Sequence, residues 1–179
     1  MAINQIKRYN ELLEIIHFTE RERIISLKGI FNRDIADNDK FHFRTKIIRP
    51  LKKEGVEDVE SLFSHLTHQT EEEKDKRGII IKKRSVFDYE RSKRLHWIWY
   101  HIQEKNKNKI DVFSYTDRIN GKNVIRTYIY DFDEKYVIIL QPQRSSVDYY
   151  LITAFFLTDK LGGPKQIENK RKNKLADVY

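Results

Sequence analysis

The chain has 179 residues, a net charge of +8 and no cysteine. That length fits one domain, or a catalytic domain with a small companion, and the missing thiol excludes a disulfide scaffold, a thiolate metal site and a cysteine nucleophile. Ten Phe, ten Tyr and two Trp supply enough aromatic bulk for a compact core despite 35% charged residues. No apolar run approaches the ~20 residues of a membrane helix. Residues 1–20 lack the small-residue cleavage site of a signal peptide. A soluble, cytoplasmic protein of a bacterial cell, with no membrane partner, is the expectation.

The N-terminal part reads as mostly helical. Ile6, Tyr9, Leu12, Leu13 and Ile16 fall at helical spacing, which predicts an amphipathic helix from Asn4 to His17. Thr19 followed by Glu22 is a capping-box pattern and opens a second helix through Ile24, Ile25, Leu27 and Ile30. Phe41 and Phe43 alternate with polar residues and predict a strand that closes at Pro50. After Gly55 comes a helix with Val59, Leu62, Phe63 and Leu66 on one face. The charged run from Glu71 to Arg77 reads as a linker or a frayed helix end, which sets a boundary between residues 1–77 and 78–179.

The second part begins with a long helix from Asp88 to Glu104, its apolar stripe formed by Leu95, Ile98, Trp99 and Ile102. Runs rich in Val, Ile, Tyr, Phe and Thr predict four strands at 110–119, 122–130, 136–140 and 149–157. Asn120-Gly121 is a type I′ hairpin signal, and the short connections that follow predict an antiparallel meander. Gly162-Gly163-Pro164 ends the meander, and Lys165 to Lys174 is a short helix or a tail. The fold class is therefore α+β: a helix of the C-terminal part packed on a four-stranded antiparallel sheet, preceded by a small, mostly helical N-terminal region.

A two-residue turn fixes register. Tyr115 then faces Arg126, and Ser114 faces Thr127. One sheet face carries Val112, Ser114, Thr116, Ile125, Thr127 and Ile129, suited to packing beneath a helix. The other carries Phe113, Tyr115, Asp117, Val124, Arg126, Tyr128 and Tyr130. An arginine among tyrosines can stack bases and pair with phosphate; an ordinary amphipathic sheet face gives the same pattern. Charge is distributed unevenly. Residues 1–80 are neutral, so the whole +8 lies beyond Ile80. Such an excess fits a polyanion binder, and equally a solubilising surface.

Arg94-Leu95-His96-Trp97-Ile98, followed by a meander whose last strand reads Tyr149-Tyr150-Leu151-Ile152-Thr153-Ala154-Phe155-Phe156, resembles the phage-associated branch of the barnase/EndoU/colicin/RelE-like nucleases. The resemblance runs from about Ser61 to Lys174 and includes Leu62-Phe63-Ser64-His65-Leu66-Thr67. It implies a metal-independent endoribonuclease of phage or prophage origin, a toxin or host-takeover factor. Such an enzyme cleaves RNA, tRNA or mRNA, by 2′-OH attack to a 2′,3′-cyclic phosphate on the open face of the sheet. A neutralising protein partner would fit that role, and no metal or cofactor is implied. The alternative is a catalytically inactive nucleic-acid-binding or protein-binding phage accessory protein.

Such cleavage needs a base for the 2′-OH, an acid for the leaving 5′-oxygen and cations for the phosphorane. The resemblance favours His96 for proton transfer; Arg126 and Arg144 are candidate phosphate clamps because a guanidinium makes bidentate contacts to phosphate and stays protonated, the alternative for Arg144 being a solvated arginine in a turn. Thr153, a hydroxyl in an otherwise apolar strand, either binds a phosphate oxygen or satisfies a buried carbonyl, and the resemblance favours the first. Tyr128 and Tyr149 are candidates for stacking or phosphate contact, and Lys170, Arg171 and Lys172 form a basic nucleic-acid-binding segment. Two features read as decoys. His65 and His68, with His42 upstream, lack a carboxylate at metal-ligand spacing and read as a surface pair. Gly162-Gly163-Pro164-Lys165 lacks the strand and the Gly-Lys-Ser/Thr ending of a phosphate loop.

Overall fold

A computed structural model describes residues 2–53, 56–74, 77, 80–105, 108–143, 147–158 and 163–179. The chain is α+β, with a six-stranded mixed sheet at its centre.

The first segment departs from the predicted helix. Only α1 (Ala2–Gln5) is helical, and the chain then runs irregularly through a positive φ of 38° at Asn10. Ile6 is 76% and Ile16 69% exposed, while Leu13 and Ile15 are buried. The reason is side-chain competition for the backbone. Asn4 Nδ2 donates to Glu14 O (3.1 Å) and Ser26 Oγ (3.0 Å), and Asn4 Oδ1 accepts from Glu14 N (2.8 Å). One buried amide thus folds residues 4–14 into a loop, as Asn side chains do when they offer an alternative to the helix ladder.

The capping box at Thr19 is present: Thr19 Oγ1 accepts from Glu22 N and Glu22 Oε2 from Thr19 N (2.9 Å). It opens α2 (Glu20–Phe31), which loosens into a π-helical turn at Asn32–Ala36. Leu27, Ile30 and Phe31 are buried, but Ile24 and Ile25 are not. The predicted strand is a hairpin, β1 (His42–Phe43) and β2 (Lys46–Arg49), with Phe43 and Ile48 inward. A minor ribbon, β3 (Lys52–Lys53) and β4 (Val56–Glu57), precedes α3 (Val59–Thr67), which buries Leu62, Phe63 and Leu66 as predicted.

Within the charged run, Glu71 to Lys74 lie in a strand rather than at a helix end. β5 (His68–Lys74) pairs antiparallel with β6 (Ile80–Phe87), and the register sets Glu71 opposite Lys83 and Glu72 opposite Lys82.

The predicted long helix is broken into α4 (Tyr89–Ser92) and α5 (Trp97–Ile102), with turns at residues 93–96. Trp97 N bonds to Arg94 O (2.9 Å) rather than to Lys93 O, and Lys93 O accepts Leu13 N instead (3.0 Å). Trp97 Nε1 also donates to Glu11 O (3.0 Å). The N-terminal loop therefore takes up acceptors that a continuous helix would use.

β7 (Ile110–Ile119), β8 (Lys122–Asp131), β9 (Tyr136–Pro142) and β10 (Asp148–Phe156) form the antiparallel meander. Asn120 and Gly121 have φ of 48° and 76°, as a type I′ turn requires. Tyr115 pairs with Arg126 and Ser114 with Thr127, the register the turn dictates. The sheet is larger than the four antiparallel strands predicted. Its order is β1-β2-β10-β9-β8-β7, and β2 lies parallel to β10. The meander alone would leave β10 as an open edge. The β1–β2 hairpin covers it, fastened by Arg49 Nε to Asp148 Oδ2 (2.7 Å).

One face of the sheet, through Ile129, Ile138, Leu140, Leu151 and Ala154, shares a core with α2, α3 and α5. The other packs Phe113, Tyr128, Tyr130, Val137 and Ile139 against Ile167 of α6 (Gly163–Lys172), so the basic segment is a helix on the sheet rather than a tail. No helix among the described residues is long and apolar enough to cross a membrane.

Candidate functional site

The predicted site residues do not converge. His96 stands at the start of α5, only 6% exposed, with Nε2 on Arg8 O (3.2 Å). Arg126 points from the opposite face of the sheet, among the residues that α6 approaches. Two groups separated by a sheet cannot grip one phosphate. Arg144 lies outside the described residues.

The aromatic face is covered rather than open. Tyr128 is fully buried, stacks on Phe113 (5.1 Å) and donates its hydroxyl to Asp117. Lys170 Nζ donates to Asp117 Oδ1 (2.6 Å) and Tyr128 OH (2.9 Å), and Arg126 Nη1 lies 3.9 Å from Asp117 Oδ2. Burial, then the Asp117 hydrogen bond, pushes the Tyr128 hydroxyl far above its ordinary value, so it stays a neutral donor. Arg171 is held by Asp111 (2.6 Å) and Glu168 (3.3 Å). Lys172 is exposed. Thr153 pairs with Ile139 just past a bulge, on the α6 side. Tyr149 is buried on the other side, and its hydroxyl donates to Tyr179 O.

A different constellation does assemble, from α3, β6 and α4. Asp58 caps α3 by accepting Ser61 N (2.8 Å), and the buried apolar face that follows sets His65 on the flank toward β10. His68 follows at the end of α3. Thr67 Oγ1 donates to Phe63 O (2.7 Å) and lies 2.8 Å from His68 Nδ1. The Thr67 hydroxyl proton is already committed to a carbonyl, so His68 Nδ1 must be the donor. That tautomer leaves the lone pair on Nε2.

Two arginines complete the group. Arg84 Nη1 donates to His68 O (3.0 Å), and Arg91 Nη1 to His65 O (2.6 Å). Arg91 is set by Asp88, which caps α4 through Arg91 N (3.0 Å), but its carboxylate stays 3.6 Å from Arg91 Nε, a nitrogen buried with no hydrogen-bond partner. Arg84 has no carboxylate partner among the described residues. Burial, then the charge of Arg84, holds both His65 and His68 below the ordinary histidine value. A hydrogen bond with the Ile152 backbone opposes this at His65, and Glu20 and Asp88 oppose it at His68. Burial, then Arg91, lowers Arg84 in turn. Arg84 thus disfavours a charge on either histidine and is itself disfavoured by Arg91, which Asp88 compensates in part.

The chemistry of this cluster is proton transfer beside fixed positive charge. An arriving phosphate would raise both histidines, so one ring can protonate while the other stays a base. No group of three or more His, Cys, Asp or Glu side chains that could hold a metal ion occurs among the described residues. In the sequence His65 and His68 read only as a surface pair. Arg84 sits on β6, a strand the sequence reading did not predict, and nothing in the spacing links it to His65. No family model, curated protein or solved structure matches the chain.

Proposed function

We propose that the protein is a metal-independent endoribonuclease whose reactive centre is the His65–His68–Arg84–Arg91 cluster. The observation that carries the reading is the hydrogen bonding of His68 Nδ1 to Thr67 Oγ1, which leaves the Nε2 lone pair without a partner among the described residues, beside an arginine that has no carboxylate partner among them. His68 Nε2 removes the 2′-OH proton, the 2′-oxygen attacks phosphorus, and His65, protonated under the influence of the phosphate, protonates the leaving 5′-oxygen. Arg84 and Arg91 hold the phosphorane charge. The products are a 2′,3′-cyclic phosphate and a 5′-hydroxyl. The resemblance of residues 94–98 and 149–156 to phage-associated nucleases supports an RNA substrate and a toxin or host-takeover role, with a neutralising protein partner. His96 and Arg126 fall outside this centre.

The test is incubation of purified protein with total RNA in excess chelator, with end-group analysis of the products. Cyclic-phosphate ends that appear in wild type and fall by ~10²–10⁴-fold in His68→Ala support the assignment. Wild-type protein that leaves RNA intact from pH 5 to 8 overturns it. A second reading, RNA binding without cleavage, is favoured by the lowered value of both histidines in the free protein, which leaves neither ready as an acid at neutral pH.

A further inference from the structure

Segment 173–179 runs from the end of α6 onto the sheet and is anchored at Tyr179. Tyr179 N donates to Ser114 Oγ (3.0 Å), Thr127 Oγ1 donates to Tyr179 O (2.7 Å), and the Tyr149 hydroxyl donates to the same oxygen. We propose that this is a peptide-binding site which the chain fills with its own segment, and that an acidic, extended segment of a protein partner binds by taking its place.

The hydrogen bonds define what the site reads. Ser114 Oγ lies 3.0 Å from Thr127 Oγ1. The Thr127 proton is spent on Tyr179 O, so Ser114 donates to Thr127 and accepts the Tyr179 N–H. Each hydroxyl proton then has one place to go, and the ring of bonds closes on the N–H and the O of a single residue. It reads main chain and no side chain of the segment. Ser114 and Thr127 are fully buried and Tyr149 nearly so. Hydroxyls buried in this way need a partner of matching polarity, and any extended chain offers one.

The resident segment is lightly held. A further bond, Leu175 N to Ser114 O (2.8 Å), ties it to β7. Every residue of 173–179 except Leu175 is exposed, Val178 at 39% and Tyr179 at 44%. A hold made of main-chain hydrogen bonds, with little apolar burial, opens at low free energy.

A partner gains what the resident segment does not use. Beside Tyr179 a cleft of about 450 Å³ is lined by Lys46, Asn123, Ile125, Gln141 and Gln143. Lys46 has no carboxylate partner among the described residues, and its Nζ stands 5.0 Å from the centre of the Tyr149 ring, which puts the cation at the edge of the hydroxyl site. A segment with an acidic side chain next to the residue read by the hydroxyls meets Lys46 there. The net charge of +8 favours the approach of such a partner.

The test titrates the intact chain with a fluorescent peptide of residues 173–179 extended by Glu-Glu, and with its Lys-Lys counterpart. The first should bind with a Kd of about 100 µM or tighter and about tenfold better than the second, and Lys46→Gln should remove the difference. As it binds, the Leu175 and Tyr179 amide resonances of the protein should move to the positions of an unbonded chain. Leu175→Pro takes the amide away from Ser114 O and so weakens the resident competitor, and the peptide should then bind about tenfold tighter. Thr127→Val, its fold checked by a thermal melt, should free the resident segment and weaken the peptide, and Thr127→Ser should restore both. Absence of binding at about 1 mM overturns the proposal, as does binding that leaves the two amides in place, or equal affinity for the two peptides. Wild-type dimers that the peptide dissociates would make a second copy the occupant and overturn the partner. None of these readouts involves RNA cleavage, so the outcome stands apart from the ribonuclease reading.

Discussion

Two basic regions of the molecule differ in how their charge is met. On α6, Lys170 and Arg171 look in sequence like a nucleic-acid grip, yet each is bound to a carboxylate of the sheet, Asp117 or Asp111. Around α3, β6 and α4, Arg84 has no carboxylate partner among the described residues, Arg91 has one only at 3.6 Å, and two histidines are held neutral beside them. The first arrangement joins a helix to a sheet. The second holds two arginines beside two uncharged histidines with a single carboxylate at 3.6 Å, an under-compensated arrangement of the kind found where a ligand supplies charge. A basic composition therefore says little about free positive charge until the carboxylates are placed.

Removing the anion at the centre of the matched region should have the largest effect on stability. Asp117 serves Lys170, Tyr128 and, more distantly, Arg126, and it is buried. Asp117→Ala leaves a lysine and a tyrosine without their acceptor, and should cost ~3–5 kcal/mol. Urea titration reads this directly. A loss under ~1 kcal/mol would mean that water replaces the carboxylate, and that α6 is not held by its charges.

Arg84→Gln and Lys170→Gln should separate the two regions. The first removes a repulsive charge together with one backbone hydrogen bond, so stability should stay within ~0.5 kcal/mol of wild type. RNA affinity should fall and its log–log salt slope should become shallower by ~0.9. The second should do the reverse: a loss of ~1–3 kcal/mol in stability with the slope unchanged. Equal slope changes in the two variants would erase the distinction between matched and unmatched charge.

The matched region was partly legible in the sequence, and the unmatched one was not. Asn120-Gly121 has positive φ at both residues, so a local turn was enough to place Arg126 opposite Tyr115. Thr19 and Glu22 likewise announced α2 by a bond within one turn. What escaped depended on distant partners. β2 meets β10 across about a hundred residues of chain, the Leu13 amide breaks the helix at Lys93, and Asn4 rather than an apolar stripe shapes residues 4–14. His65 and His68 read as a surface pair because the arginine that faces both comes from a strand whose pairing only tertiary structure reveals. Lys170 and Arg171 were read as free because Asp117 and Asp111 lie on another element.

The pH dependence of stability probes the same difference. His65, His68 and His96 all have folded values below the unfolded ~6.5. The unfolded chain therefore binds more protons in that window, and stability is fully present above about pH 6.5 and declines as pH falls through the folded values. Melting temperature should drop between pH 7 and pH 5, and His68→Gln should flatten the drop. Added polyanion should flatten it as well, by raising the cluster histidines in the folded state. A flat profile in wild type would mean that these rings are solvated.

The smallest effect is expected at Lys172. It is the exposed one of the three cations in the last turn of α6, where the helix dipole is negative. Lys172→Ala should lose only the charge–dipole contact, about 0.3 kcal/mol, near the limit of a careful urea titration. Its RNA readout is more telling. If nucleic acid reaches the last turn of α6, Lys172 is the cation there free to meet it, because Lys170 and Arg171 would first have to leave Asp117 and Asp111. The salt slope should then become shallower by ~0.9 in Lys172→Ala and by nothing in Lys170→Ala. Equal changes in both variants would mean that RNA pulls Lys170 off Asp117, and that the charges holding α6 to the sheet are exchanged on binding.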